Sequence, residues 1–443
     1  MKHFKYSLFL GFTIFAIMFG AGNIILPPIV GYIAGDKYFV GIIAFITTSA
    51  GFAALGVWSM ALQKNNFLDI TKKIHPKTHL YLLSMVVLIL GPLFAAPRTS
   101  IITGELFVYE IFGSSILVTI ISSFIFFLIT ALVLLSKTNL VDVIGKYLTP
   151  ALIILLLVII GGSLIVDTTF VESSITSTDS FVNGLKTGYF TVDALGYVII
   201  ATISIKTILR ETTMKHNDKF RVLNRSVFIA LFLISLVYLG LGYMGATTTY
   251  VANGVEPSGT DILRHNIFAI FGKFGNIIFG LSVALACLTT SIGLIVNASN
   301  FFAVNTNTDQ DKWVIAFSII SFVISLFPLG NITSFIGPVL LMLVPPSMCV
   351  AFLGYVNRKI RRRRTLVVPF AVSVIMGFLT MLAEFIPQVK SVVSTLPWGE
   401  YGFSWIPVTI AAIILMMAYE IYTENTSVYE EYTEEYKSLK ATD

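Results

Sequence analysis

Charge is what this 443-residue sequence has least of. Asp, Glu, Lys and Arg together make up 12% of it, about half the share of an ordinary soluble domain. That scarcity, with 56% hydrophobic residues, excludes a soluble globular protein and leaves an integral membrane protein. No polar stretch is long enough for a sizeable soluble domain, so a single membrane domain over 1–443 is expected. Cysteine is nearly absent: Cys287 and Cys349 both sit in apolar runs, which excludes a disulfide framework and predicts reduced core thiols. No H-E-x-x-H or G-x-S-x-G occurs, and the five histidines fall in loops or near helix ends. A polytopic enzyme needs clustered nucleophile and base or metal ligands at helical spacing, so enzyme chemistry is a remote reading and no cofactor is called for. The net charge of +5 gives no reason to expect nucleic acid.

What is present is a succession of apolar runs of roughly twenty residues, the length that spans a bilayer. About twelve are predicted, near 6–30, 38–62, 80–104, 113–135, 145–166, 182–207, 224–247, 274–303, 312–330, 332–354, 366–386 and 402–422. The first run lacks a small-residue cleavage site and reads as a retained helix. Lys and Arg alternate between loops: Lys2 and Lys5, then Lys64, Lys72, Lys73 and Lys77, then Lys206, Arg210, Lys215, Lys219, Arg221 and Arg225, then Arg358, Lys359 and Arg361 to Arg364. By the positive-inside rule both termini are expected to be cytoplasmic. The acidic tail 423–443, with Glu430, Glu431, Glu434 and Glu435, reads as a solvated end. The loop 248–273 contains a helical-looking 261–272 and reads either as an external lid or as a plain connection.

Two runs carry residues that lipid does not tolerate. Gly20-Ala21-Gly22-Asn23, followed by Pro27-Pro28, weakens a helix where no water satisfies freed backbone groups. A break there bares N–H groups that attract a carboxylate and C=O groups that attract a small cation. The same residues also suit a glycine-rich packing face with a proline kink. The sixth run contains Phe190-Thr191-Val192-Asp193, and a midspan carboxylate costs at least ~2.5 kcal/mol on insertion scales. Interruptions in spans one and six, five helices apart, point to an inverted-repeat transporter. The predicted fold class is therefore all-α, with first repeat 6–166, second repeat 182–354 and two peripheral helices over 366–422.

Gly20-Ala-Gly-Asn-Ile-Ile-Leu-Pro-Pro28 and Gly91-Pro-Leu-Phe-Ala-Ala-Pro-Arg-Thr99, supported by Thr191-Val-Asp-Ala-Leu-Gly196, resemble the bacterial branched-chain amino acid:cation symporters of the amino acid–polyamine–organocation group. The resemblance covers essentially the whole chain and implies a LeuT-type fold. It implies a sodium site made by the hydroxyls of Thr289 and Thr290 with the carbonyls of Ala286, Ala16 and Phe19. Adjacent threonines also commonly bond back to the preceding helical turn. A second sodium site would use Asn23 and Thr191. Span seven should then add an amide but has Ser235 and no interior asparagine, so Asp193 is expected to compensate.

A leucine, isoleucine or valine carboxylate suits the N–H groups around Gly20, Ala21, Gly22 and Asn23. Carbonyls of span six with Asp193 suit the ammonium, and Phe94 and Phe190 are expected as the apolar wall. Arg98 is expected to pair with Asp193 or Glu105, as a structural pair or as a gating or coupling pair. Spans five and eight hold no interior Lys or Arg to replace a cation, which favours Na⁺ over H⁺ as the coupling ion. The expectation is Na⁺-driven uptake of branched-chain amino acids across a bacterial cell membrane. H⁺ coupling or another small apolar amino acid is the alternative; a channel or a receptor stands further off, and the oligomeric state is open.

Overall fold

The computed structural model describes residues 2–62, 67–136, 140–165, 169–210, 216–251, 257–357, 360 and 362–424. Lys64, Lys215, Arg358, Lys359, Arg361, Glu430, Glu431, Glu434 and Glu435 lie outside them. In chain order the first helices are α1 (Lys2–Met18), α2 (Ala21–Ala34), α3 (Tyr38–Ile46), α4 (Phe52–Leu62) and α5 (Phe67–Ile74). There follow α6 (Thr78–Leu88), α7 (Ala95–Thr103), α8 (Tyr109–Phe112), α9 (Ile116–Leu135) and α10 (Leu140–Ile165). The second half holds α11 (Ser177–Tyr189), α12 (Asp193–Arg210), α13 (His216–Ala246), α14 (Gly259–Thr306) and α15 (Gln310–Ser325). The chain closes with α16 (Leu329–Val356), α17 (Arg364–Ala383), α18 (Pro387–Ser394) and α19 (Trp405–Glu424). No strand occurs among the described residues.

Each predicted span has its helix, and spans one and six are divided, into α1 and α2 and into α11 and α12. Span three is also interrupted. A π-helical turn over Ile89–Leu93 contains Gly91 at φ −94°, ψ −114°, and a second follows at Gly104–Val108. Such turns leave the α-helical ladder locally out of step and recur at functional sites. The helix predicted over 261–272 forms the first part of α14, from Gly259, and a non-helical Gly272 (φ +64°, ψ −168°) divides it from span eight. Eight helical stretches among the described residues are long and apolar enough to cross a bilayer, with shorter apolar helices at Phe4–Met18 and Leu152–Ile165.

The chain divides into two compact units, Met1–Ala61 with Tyr81–Leu340, and Leu62–Leu80 with Leu341–Asp443. In the first, α2 packs on α13, α3 on α11, and α14 on α7. Its core is mainly apolar, but its outer helices also turn apolar side chains outward. On α9, Ser123 and Thr130 are buried while Ile116, Leu117, Phe124 and Leu132 are exposed. Hydrocarbon solvates those outer side chains, and the buried hydroxyls need partners; Ser100 Oγ donates to Ser123 Oγ at 3.2 Å. In the second unit α17 packs on α19, α18 and α5. There the Arg363 guanidinium donates to the Ile74 carbonyl at 3.0 and 3.2 Å, and the Arg362 N–H donates to Glu420 at 3.1 Å.

Small residues let α2 and α13 approach to backbone contact. A Cβ on Gly31 would overlap the Gly242 carbonyl, and one on Gly245 the Pro28 carbonyl. Overpacking of this kind costs about 1–3 kcal/mol. Gly31→Ala is therefore expected to lower the thermal denaturation midpoint of the detergent-solubilised protein by several degrees. Gly293→Ala, where the added methyl meets open space, is expected not to lower that midpoint, since Ala is the better helix former.

Candidate functional site

The first break is built by what Gly20 and Asn23 can do. Gly20 is extended (φ −107°, ψ −173°) between α1 and α2. The Asn23 side chain turns back so that its Oδ1 accepts from the Gly20 N–H at 3.1 Å. Its own N–H donates to the Gly20 carbonyl at 3.1 Å. A residue at the third helical position reaching back in this way satisfies one of the orphan donors of a helix start. Pro27 and Pro28 lie inside α2 and bring no N–H, so the carbonyls of Asn23 and Ile24 lose their usual helical donors.

The second break is tighter. N–H groups of Phe190, Thr191 and Val192 donate to Thr187, Gly188 and Tyr189 at 3.0, 3.3 and 3.0 Å, closing α11. Val192 then takes φ +61°. A β-branched residue in the left-handed region is strained by roughly 1–3 kcal/mol and persists only where its surroundings hold it. Val192 is buried, and its carbonyl accepts from Leu195 and Gly196, each at 3.0 Å, to start α12. The Thr191 hydroxyl donates to the Gly188 carbonyl at 2.9 Å and accepts from the Asp193 N–H at 3.3 Å.

One side chain joins the breaks. Asn23 Nδ2 donates to Asp193 Oδ2 at 2.7 Å and also to the Tyr238 hydroxyl, which in turn donates to Asp193 Oδ2 at 3.5 Å. Asn23, Asp193 and Tyr238 are 1%, 7% and 0% exposed. Tyr238, on α13, packs edge-on against Phe45 with centroids 5.0 Å apart. Span seven was expected to send an amide to this region and to offer only Ser235; its contribution is Tyr238. The signal available in the sequence was position: Tyr238 follows Ser235 by about one helical turn, and a buried phenol needs a hydrogen-bond partner.

Arg98 comes from α7, just after the interruption of span three. Its Nη1 donates to the Phe190 carbonyl at 2.5 Å, and its guanidinium carbon lies 4.7 Å from the Phe94 ring centroid. The expected ion pair with Asp193 or Glu105 is absent among the described residues. The Phe190 carbonyl, freed by the end of α11, takes the guanidinium, and Glu105 accepts from the Thr260 hydroxyl at 2.7 Å. Gly22 gives Arg98 its room, because a Cβ there would come within 2.5 to 2.6 Å of the guanidinium atoms.

Asn23, Thr191, Asp193 and Arg98 open onto one cavity. Its polar lining is Asn23, Arg98, Thr99, Thr191, Asp193 and Thr290, beside the backbone of Gly20 and Ala21. Its apolar lining includes Ile17, Met18, Leu90, Ile199, Ile200 and Leu294. The wall is thus aliphatic. Phe94 lies fully buried beneath the guanidinium, and the Phe190 ring packs toward Gly337. Thr289 and Thr290 both donate to the Ala286 carbonyl, at 2.8 and 2.9 Å. This is the back-bonding geometry, and it also gathers the three oxygens. Thr290 stands beside the first break, since a Cβ on Gly20 would lie 3.7 Å from its methyl carbon. Ala16, Phe19, Gly22, Ala286 and Thr289 are not among the lining residues.

Residues 3–423 match the model of the branched-chain amino acid transport protein family. The chain belongs to this family. It is a membrane transporter family, and its members are not enzymes. A putative branched-chain amino acid carrier of Staphylococcus aureus (strain USA300) is 30% identical over 435 residues, covering 93% of this chain and 96% of the relative. A putative carrier of the same description from Staphylococcus haemolyticus is 32% identical over 428 residues, with the same shares covered. Among solved structures, inward-facing Mhp1 aligns with a TM-score of 0.52 at 13% identity, over 94% of this chain and 91% of that one. A manganese transporter of Eremococcus coleocola gives 0.51 at 14%, over 94% and 93%. At such identities the likeness shows the fold, which is the LeuT type that the motifs of the sequence implied.

Tyr238→Phe removes one hydroxyl and leaves Asp193 its 2.7 Å donor, so it is expected to cost about 1 kcal/mol of stability. Asn23→Ala strips the carboxylate of that donor and is expected to cost more, roughly 1–3 kcal/mol. Denaturation of the two purified variants in detergent checks the order.

Proposed function

We propose that the protein imports leucine, isoleucine and valine by symport with Na⁺, through alternating access around the cavity between α2, α7, α12 and α14. The observation that carries this reading is the meeting of both helix breaks at that cavity, joined by Asn23 and Asp193. Helix starts at Ala21 and Asp193 and helix ends at Met18 and Tyr189 offer opposite partial charges to a small zwitterion and a cation in one place. The aliphatic lining suits a branched side chain. Such a pocket separates neighbours differing by one methylene by only ~1–3 kcal/mol, so the three amino acids share it. Family membership and the names of the Staphylococcus relatives support the same substrates.

Na⁺ would sit against Thr289, Thr290 and the Ala286 carbonyl, with carbonyls from the end of α1 at Ala16 and Phe19. Neutral oxygens of this kind suit a hard monovalent ion. Asn23 and Thr191 would contribute to a second ion. In this reading residues 6–166 and 182–354 are the two repeats and 366–422 is peripheral. Both termini face the cytoplasm of a bacterial cell, as the loop charges suggest. A second reading, H⁺ coupling through Asp193, has one observation in its favour. Arg98 from span three lines the cavity that Thr290 also lines, so a fixed cation stands there although spans five and eight supply none.

Uptake of radiolabelled leucine into proteoliposomes separates the readings. Accumulation is expected with an inward Na⁺ gradient, not with matched K⁺ or a pH gradient alone, and isoleucine and valine are expected to compete. The Thr289→Ala, Thr290→Ala double variant is expected to lose Na⁺-driven uptake while still inserting. Asp193→Asn is expected to weaken leucine binding or its coupling. Full Na⁺ dependence in the threonine variant would remove the cation assignment, and uptake driven by the pH gradient alone would replace Na⁺ with H⁺.

A further inference from the structure

Arg98 is a buried cation with no carboxylate in ion-pair contact among the described residues. It is 4% exposed. The guanidinium's one hydrogen bond among them goes to the Phe190 carbonyl, and its Nε has no partner. A guanidinium carries five donors, and burying its charge without a counter-ion is costly. The site adds to that cost. Gly22 lets the guanidinium lie against the first turn of α2, where the positive end of the helix faces it. An anion in the cavity, within reach of both the guanidinium and the helix start, would relieve both at once.

We propose that Arg98 anchors the carboxylate of the transported amino acid, with Asp193 as the opposite pole for its ammonium. This rests on the substrate reading above. Arg98 and Asp193 line the same cavity, and each is held away from the other by bonds of its own. The Phe190 carbonyl and the Phe94 ring fix Arg98; Asn23 and Tyr238 fix Asp193. Two opposite charges kept apart in one cavity match a zwitterion. They leave one charge unmatched with an amine alone or an acid alone. The planar fork of arginine suits a carboxylate in two-point contact. The aliphatic lining at Leu90, Ile199 and Ile200 receives the remainder of the ligand. The site is thereby selective for the intact α-amino acid before it is selective for the side chain.

A clamp on the Phe190 carbonyl would also make Arg98 important, so the test uses a ligand without the carboxylate. Binding of leucine and of leucinamide to purified wild type, Arg98→Gln and Arg98→Lys is measured by isothermal titration. Wild type is expected to prefer leucine by tenfold or more. Arg98→Gln is expected to lose roughly ten- to a hundredfold in leucine affinity, the range for a hydrogen bond to a charged group, with leucinamide changed by less than about threefold. Arg98→Lys keeps a charge without the fork and is expected to fall between. Equal losses for both ligands in the two variants would make Arg98 a clamp only and overturn the anchor. If Arg98→Gln does not fold, the wild-type preference and Arg98→Lys decide: no preference for leucine over leucinamide overturns the proposal. Wild type that binds neither ligand would remove the substrate reading itself, and the anchor with it.

Discussion

The Asn23 carboxamide touches three things that have no other reason to be together: the Gly20 N–H at the first break, the Asp193 carboxylate at the second, and the Tyr238 hydroxyl of span seven. Hydrocarbon gives an interrupted helix no water to complete it. A chain that breaks two spanning helices must therefore answer each break with protein, and here each answers the other. The carboxylate that would be prohibitive in an isolated span becomes the acceptor that Asn23 requires. The left-handed Val192 is the local strain that aims Asp193 at its donor. Removing either partner leaves a buried polar group stranded, which ties the stability of the centre to the geometry of the site.

From this pairing the rest of the site follows. With the ends of α1 and α11 and the starts of α2 and α12 in one region, partial charges of both signs face one cavity. Arg98 takes a carbonyl freed by the end of α11, a position where a free cation would otherwise be drawn. It can do so because span three is itself interrupted at Gly91 and because Gly22 has no side chain in the way. The aliphatic lining then sets what kind of side chain can share a cavity otherwise addressed to charges.

The breaks were legible in the sequence because they offend the membrane. Gly20, Gly22, Asn23 and the two prolines cannot run through lipid as an ordinary helix, and Asp193 cannot sit at midspan without a reason. The twelve spans were legible for the same cause, and the motifs around Asn23 and Arg98 carried the family. Tyr238 was faint because a tyrosine in an apolar helix offends nothing: its place one turn from Ser235 marks the face, and the fold shows that its hydroxyl meets a carboxylate. The left-handed turn at Val192 has no signature in a valine, whereas the bend at Gly272 falls where the reading of a helix over 261–272 and a span from 274 put it. Phe94 and Phe190, expected as the apolar wall, are not among the lining residues, and aromatic side chains are abundant here. In the fold they serve Arg98, one by its ring and one by its carbonyl. The short helices α5 and α18 fall outside the length criterion that found the spans.

The central claim is that the substrate occupies the cavity where the two breaks meet, and a cysteine reporter tests it most directly. Gly196 lies on α12 at that cavity, and a Cβ there would make only ordinary contacts, 3.8 Å to Ile200 and 4.0 Å to Leu90. With Cys287 and Cys349 replaced by alanine, the rate at which a small thiol reagent modifies Gly196→Cys is followed with and without leucine in a preparation shown to take leucine up. The account predicts that saturating leucine slows the modification several-fold and that leucinamide protects far less. An unchanged rate at leucine concentrations that saturate uptake would put the substrate elsewhere and contradict it.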